Sequence, residues 1–555
     1  MDGGPLTRWP RPGGSPIEGW TRTGPVDPGG CRSRTKVHST DQGPFVGARC
    51  RWIGTIRRPV PSPRRPRAGS PLETELPDVP VPSRAVAGAG DVTWERPEQR
   101  DRRADAEAYR ARHPSLVVSD PVWTPSVVGG RWTWSADLAG GPTFLSSVDL
   151  DLGGAPRVAT PAPQVGRALA VIDALSYWKA AASPLLAFEF ALPGTLEWWR
   201  RFAAGGMAEF LWANGLDPDW LPALDATGLD PLPDSSATDL DGALLLHSGG
   251  KDSIVSGRLL AAAGKRVRPV TYQPTAEAEA VVAASAPPDG WAGPAATIGR
   301  GFDRQLLDLN AAGYLNGHTP YSAWLAVAAG AVAELAGIGR VAAGNSASDD
   351  EANITGTWQG AEWAVNHQWS KSAAFEAAWV ELGAAGRRYA SPLRPVHELA
   401  VVAGIVATDP PGTRAALSCN RSAKAGRPGE WCGRCPKCAW MAVAIGALAG
   451  RDAAVARLGV DVLAEPANGP LLAQMCGRCG PIPFECAGLP SEVRACIRAL
   501  DGSAPALAAV TPEDLDDGPN PPSAADLVSQ LQPAPLLDAA EHAAVADWVA
   551  AALRR

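Results

Sequence analysis

The sequence predicts an α/β protein built on a doubly wound parallel sheet, and three observations carry that expectation. Residues 243–247, Ala-Leu-Leu-Leu-His, form a short apolar run of the kind buried on both faces of a parallel sheet. Residues 254–263 then take up helical spacing, and a second apolar run, 266–270, follows at the distance of a βαβ unit. Between the first run and the helix lies a glycine-rich turn, Ser248-Gly249-Gly250-Lys251-Asp252-Ser253. Two glycines let backbone come close to an anion, and the free N–H groups and positive end of the following helix favour its charge. Lys251 adds a point charge, and Ser248 and Ser253 offer hydroxyl donors. A surface loop of this kind should tolerate replacement of Lys251 or Asp252 without loss of the fold.

At 555 residues the chain exceeds a single domain of roughly 100–200 residues, and its 45% hydrophobic composition can fill several cores. Residues 1–90 read as a disordered, basic, Pro/Arg-rich extension: residues 1–68 hold 13 Lys and Arg against 4 Asp and Glu, with 11 prolines and no apolar periodicity. Residues 91–216 read as an N-terminal α+β, Trp-rich domain, with strands and turns over 123–152 and helices over 167–215. In Leu175-Ser176-Tyr177-Trp178-Lys179 and Glu197-Trp198-Trp199-Arg200 the aromatics are expected to pack a core. Residues 217–240, rich in Pro, Asp and Ser, read as a linker. The loop-bearing sheet domain spans 241–410, and 411–555 reads as a Cys-rich, mainly helical lobe. A net charge of −7 gives no basic field for nucleic acid, and no apolar stretch reaches the roughly 20 residues a bilayer span needs. A cytoplasmic protein is expected.

Three polar clusters fall within the sheet domain. Gly344-Asn345-Ser346-Ala347-Ser348-Asp349 follows the apolar run 338–343 and so belongs at a strand's carboxyl end, where doubly wound sheets bind ligands. Asn366-His367-Gln368-Trp369-Ser370-Lys371-Ser372 packs more polarity than a structural loop needs, and Asn316-Gly317-His318-Thr319-Pro320 opens another helix. Four of the ten cysteines are spaced Cys419-x12-Cys432-x2-Cys435-x2-Cys438, which points to a closed metal site, zinc or an iron–sulfur cluster, more than to disulfides. A second set, Cys476, Cys479 and Cys486, lacks an obvious fourth ligand and leaves a metal or a reactive thiol open. Cys496, beside Val493 on an apolar helix face, reads as core.

The turn is not a Walker A loop; it resembles the PP-loop of ATP pyrophosphatases, set after the first strand of an adenine-nucleotide α-hydrolase-like fold. That resemblance implies cleavage of ATP to AMP and diphosphate, with Tyr272 at the end of the second strand beside the adenine. A PP-loop followed by the cysteine knuckle is similar to 7-cyano-7-deazaguanine synthase, a shorter zinc enzyme without the Trp-rich domain. The ordered set of the SYWK segment, SGGKDS, NGHTP, NHQWSKS, Cys-Gly-Arg-Cys-Pro-Lys-Cys and Pro483-Phe484-Glu485-Cys486 resembles the UDP-N-acetylmuramoyl-L-alanyl-L-glutamate epimerase family of bacterial cell-wall synthesis. The resemblance runs from about residue 92 to the end of the chain. It implies an enzyme that uses ATP and magnesium to invert the terminal L-glutamate of a UDP-muramoyl dipeptide. Ser248 to Ser253, Gly344 and Asn345 would then contact the nucleotide, with Asp252 or Asp349 holding magnesium. Lys251 and Lys371 would stabilise phosphate charge. A general base near neutrality is required, for which His367 leads and His318 and Cys486 follow. The family's Asn-Glu pair is Asn345-Ser346 here, which leaves that position's role open.

Overall fold

A computed structural model describes residues 98–555 apart from 234–240, 359–360, 383–387, 417, 420, 422–429, 479 and 555. The extension read over 1–90, with Cys31 and Cys50, and Cys479 of the second cysteine set lie outside the described residues.

Among the described residues, eleven strands form one sheet. From one edge they run Arg388–Ala390, Arg340–Ala342, Gly242–Leu246, Arg266–Tyr272, Ala296–Gly301, Thr143–Asp151, Gly129–Leu138, Ser115–Val118, Leu185–Phe188 and Ala223–Ala226, with Val122–Pro125 paired to Gly129–Leu138. The first five are mutually parallel. In chain order within that half they lie fifth, fourth, first, second, third, so the winding direction reverses between Gly242–Leu246 and Arg340–Ala342. Such a reversal opens a crevice at the carboxyl ends of those two strands. Every residue of Gly242–Leu246 but the last is buried, as a strand covered on both faces requires.

The N-terminal region is not a separate domain. Thr143–Asp151 pairs antiparallel with Ala296–Gly301, from Thr297 opposite Asp151 to Gly301 opposite Ser147, and so continues the same sheet. Gly129–Leu138 and Ser115–Val118 extend it antiparallel, and Leu185–Phe188 and Ala223–Ala226 close it with a second parallel set. Along Gly129–Leu138 and Thr143–Asp151 burial alternates, which is how an antiparallel strand with one covered face reads. Residues 217–240 are likewise more than a linker, because they carry a 3-10 turn, Pro218–Trp220, and the edge strand Ala223–Ala226. Within 167–215 the helices Pro163–Trp178, Leu196–Gly206 and Ala208–Ala213 are interrupted by the strands Leu185–Phe188 and Leu192–Pro193. Leu-Leu-Ala-Phe is a buried strand whose short apolar run is indistinguishable by period from a buried helix.

One apolar core, including Trp132, Tyr177, Trp178, Trp199, Phe210 and Trp324, runs under both halves of the sheet. The tryptophans do serve packing. A second core joins the helices Glu398–Thr408, Pro436–Ala449, Pro490–Ala499 and Ala539–Leu553 to Val255 and Leu259 of the helix Lys251–Ala262. Glu398–Thr408 therefore packs with the helical C-terminal part, which begins before residue 410. Among the described residues no helix is long and apolar enough to cross a membrane.

Candidate active site

The glycine-rich turn lies at the carboxyl end of Gly242–Leu246 and leads into the helix Lys251–Ala262. Gly249 has φ +80°, a conformation that favours glycine, and its N–H donates to His247 Nδ1 at 3.1 Å. With Nδ1 accepting, the proton of His247 belongs on Nε2, 3.0 Å from Ser285 Oγ, which donates onward to the Val282 carbonyl. Burial pushes His247 down to about 4 and keeps it in this neutral form. Ser253 Oγ donates to the Gly250 carbonyl at 2.9 Å, so its hydroxyl braces the turn from within, whereas Ser248 is exposed. The N–H groups of the first helical turn have no partners inside the helix and face the crevice end.

Lys251 departs from the surface position expected of it. Only 6% exposed, it places Nζ 2.7 Å from Glu398 Oε1 and 2.7 and 2.9 Å from the Asp252 carboxylate oxygens. Burial alone would lower its ammonium; the two carboxylates outweigh that and hold it above the ordinary lysine range. Glu398 also accepts the Gly488 N–H at 3.0 Å. From the neighbouring strand, Gly344 comes so near that a Cβ there would stand 2.9 Å from Asp252 backbone. Asn345 turns inward, its Nδ2 donating to Tyr389 OH at 3.1 Å and its N–H to Ser391 Oγ, bonds of a structural residue more than of a ligand contact. Asp349 accepts the Ser346 N–H at 2.8 Å, and burial pushes it up to about 6 against the pull of Lys371 and Arg394. Tyr272 sets its ring edge-on to Tyr321 and Trp324, at 5.4 and 6.1 Å.

A second group of side chains gathers from four distant segments. His367 follows the hairpin of Ile354–Trp358 and Ala361–Val365. Its N–H donates to Asn353 Oδ1 at 2.8 Å, and Asn353 donates to the Pro483 carbonyl, so one amide ties the His367 loop to the Cys486 loop. Trp369 packs on Gly205, where any Cβ would fall 2.2 Å from the indole, and this contact docks the loop on Leu196–Gly206. The next helix, Ala208–Ala213, supplies Glu209. Its Oε2 is 2.5 Å from His367 Nδ1 and 3.9 Å from His318 Nδ1, and the two imidazoles are 4.5 Å apart between centroids. Phe484 stacks on His367 at 6.1 Å and meets Trp212 edge-on at 5.4 Å. Burial, opposed by Glu209, brings His318 down to about 4, so it is neutral at pH 7. Lys371 Nζ donates to Cys486 Sγ at 3.0 Å; burial lowers its ammonium, but Cys486 and Asp349 raise it further. Asp252 of the glycine-rich turn adds a smaller share of the same attraction.

His367, His318, Lys371 and Cys486 thus lie in one region of the fold. Glu209, Glu398 and His247 were not foreseen. The signals were faint: a lone carboxylate opening the apolar helix Ala208–Ala213, a glutamate at the start of Glu398–Thr408, and a histidine closing a buried strand.

Two sets of donor atoms stand close enough together to hold a metal ion. Sγ separations are 3.8 Å for Cys419–Cys435, 3.7 Å for Cys432–Cys438 and 3.5 Å for Cys435–Cys438. Four thiolates about 2.3 Å from a tetrahedral zinc stand about 3.8 Å apart, so the four sulfurs are already at zinc spacing. Glu209, His318 and His367 also lie within ligand distance of one another. Of the described members of the second cysteine set, Cys476 is buried in the apolar core and Cys486 faces Lys371; Cys496 is buried in the same core as Cys476.

A doubly wound crevice with a glycine-rich turn at its mouth and a histidine–carboxylate cluster is the make-up of an α/β enzyme. Family models described as the MurL N-terminal domain and the MurL C-terminal domain match residues 125–387 and 415–510. A protein of Salinispora tropica named UDP-N-acetyl-alpha-D-muramoyl-L-alanyl-L-glutamate epimerase is 32% identical over 423 residues, 73% of this chain and 86% of its own. One of the same name from a Micromonospora species is 32% identical over 73% of this chain and 88% of its own, and one from Xanthomonas oryzae pv. oryzae is 31% identical over 65% and 80%. The chain belongs to this epimerase family. No solved structure matches it.

Proposed function

We propose that the chain converts the terminal L-glutamate of UDP-N-acetylmuramoyl-L-alanyl-L-glutamate to D-glutamate through an acyl-adenylate, at the cost of one ATP. The observation that carries this reading is the Glu209–His367 pair, with His367 in the same loop as Lys371, whose ammonium feels the charge of Asp252 in the glycine-rich turn. A carboxylate suppresses the acidity of its own Cα, because deprotonation would set a second negative charge beside the first. Attack of the α-carboxylate oxygen on the α-phosphorus of ATP expels diphosphate and leaves a neutral acyl group, whose carbonyl can accept the electron pair of the Cα–H bond. The first-turn N–H groups of Lys251–Ala262, the Lys251 ammonium and Lys371 would stabilise phosphate charge. Asp252 or Asp349 would help hold magnesium, which would screen the phosphates. Zinc in the four-cysteine site would be structural.

Glu209 holds the proton of His367 on Nδ1 and leaves the Nε2 lone pair free to take the Cα proton. Return of a proton to the other face falls to the Cys486 thiol, or to the N–H of His318, which regains a proton from the His367 imidazolium beside it, and water then releases AMP and the inverted carboxylate. In deuterated water, ATP-dependent turnover should place deuterium at the glutamate Cα. His367→Ala should lower that exchange by about 10²–10⁴-fold while still releasing diphosphate. Inversion without ATP, or without solvent deuterium in the product, would overturn the reading.

A further inference from the structure

One half-buried cation in this region has no counter-charge. Lys179 follows the helix Pro163–Trp178, and its Nζ donates to the Gly317 carbonyl at 2.8 Å, one residue before His318. The other cations nearby are committed. Arg300 binds Asp173 and Ser176, Lys371 binds Cys486, and Lys251 lies between Asp252 and Glu398. Glu209, the carboxylate of the cluster, is taken by His367. Among the described residues no carboxylate forms an ion pair with Lys179. Burial, and then the repulsion of Arg300, bring its ammonium down to about 8, the direction expected of a positive charge waiting for an anion.

The substrate supplies such an anion. Once the α-carboxylate is adenylated, the terminal glutamate keeps one negative charge, on its side chain. We infer that Lys179 is the subsite for that side-chain carboxylate, and that this contact holds the glutamate beside the imidazoles of His367 and His318. Asn214 Nδ2 donates to the Asn316 carbonyl at 3.1 Å and Gly317 packs on Phe210, so the loop that Lys179 grips is seated on the helix that carries Glu209. An ion pair formed at Lys179 is therefore positioned relative to the proton-transfer groups by direct contacts. A tether with no ligand would need only the Gly317 hydrogen bond, which a neutral donor also makes.

The inference rests on the epimerase reading for the identity of the substrate, and the test separates the two. Binding of the UDP-muramoyl dipeptide ending in L-Glu, and of its analogue ending in L-Gln, is measured by calorimetry without ATP on wild type, Lys179→Met and Lys179→Arg. Wild type should bind the Glu form at least about tenfold more tightly, Lys179→Arg should keep most of that preference, and Lys179→Met should reduce it to within about twofold. Lys179→Gln, which retains a donor for Gly317, gives the same readout should the Met variant fail to fold. A Glu-over-Gln preference unchanged in the neutral variants would overturn the subsite, as would equal binding of both ligands by wild type. Turnover enters only afterwards. Preferential binding of the Glu form, lost in Lys179→Met, with no inversion in the presence of ATP would sink the epimerase reading and leave the subsite standing.

Discussion

Lys251 lies between two carboxylates at the start of its helix, so its removal acts on two properties at once. Lys251→Met takes a positive charge from the phosphate site and should lower diphosphate release by at least about 10²-fold. It also strands Glu398, buried with its carboxylate facing the lost ammonium, and should cost about 3 kcal/mol in denaturant unfolding. Lys251→Met combined with Glu398→Gln should recover most of that stability and none of the activity; a single variant as stable as wild type would show that the ion pair is not what holds this corner. Lys179 carries a pH signature. Its ammonium, faced by Arg300 and His318, is charged below about 8 and discharges above it, so KM for the dipeptide should climb as pH rises past 8. Lys179→Arg should flatten that climb. At this scale the turn was legible because its glycines, lysine and acid are contiguous. Glu398 and Glu209 were not, since each is a lone carboxylate whose partner stands well over a hundred residues away in the chain and whose helix gives it no distinguishing neighbour.

The cysteine knuckle is the element most fully written in the spacing of its residues. Cys432, Cys435 and Cys438 lead into the helix Pro436–Ala449, with Pro436 at its first position, and Cys419 arrives from outside it. The helix packs in the second core, and Lys437 lies 3.9 Å from Glu485, the neighbour of Cys486. About one zinc per chain should co-purify, and Cys435→Ser should lower the thermal midpoint markedly, because metal binding contributes folding free energy directly. Elemental analysis that found neither zinc nor iron would sink the metal site. Other elements were concealed. The hairpin of Ile354–Trp358 and Ala361–Val365, which delivers His367, has a strand whose middle residues, Thr355, Gly356 and Thr357, are exposed, so no apolar alternation marks it. The edge strand Ala223–Ala226 offers only four residues between prolines and aspartates.

Both parallel halves of the sheet follow from local patterns, apolar runs and helices at βαβ spacing, but their union does not. The seam pairs Ala296–Gly301 with Thr143–Asp151, and Gly299 stands opposite Asp149 across some 150 residues of chain. Pairing at that range depends on which edges remain unfilled after each half has folded, and no window of sequence contains that information. The seam also governs mechanics. Backbone hydrogen bonds from Arg388–Ala390 to Ala223–Ala226 make one stiff plank, and a plank does not close like a pair of jaws. Small-angle scattering should therefore give superimposable profiles with and without nucleotide and dipeptide, whereas a marked contraction on binding would mean that the seam yields. If the profiles superimpose, gating falls to the loops above the carboxyl ends, and admitting the substrate would be a matter of a few short segments lifting from a surface that itself stays still.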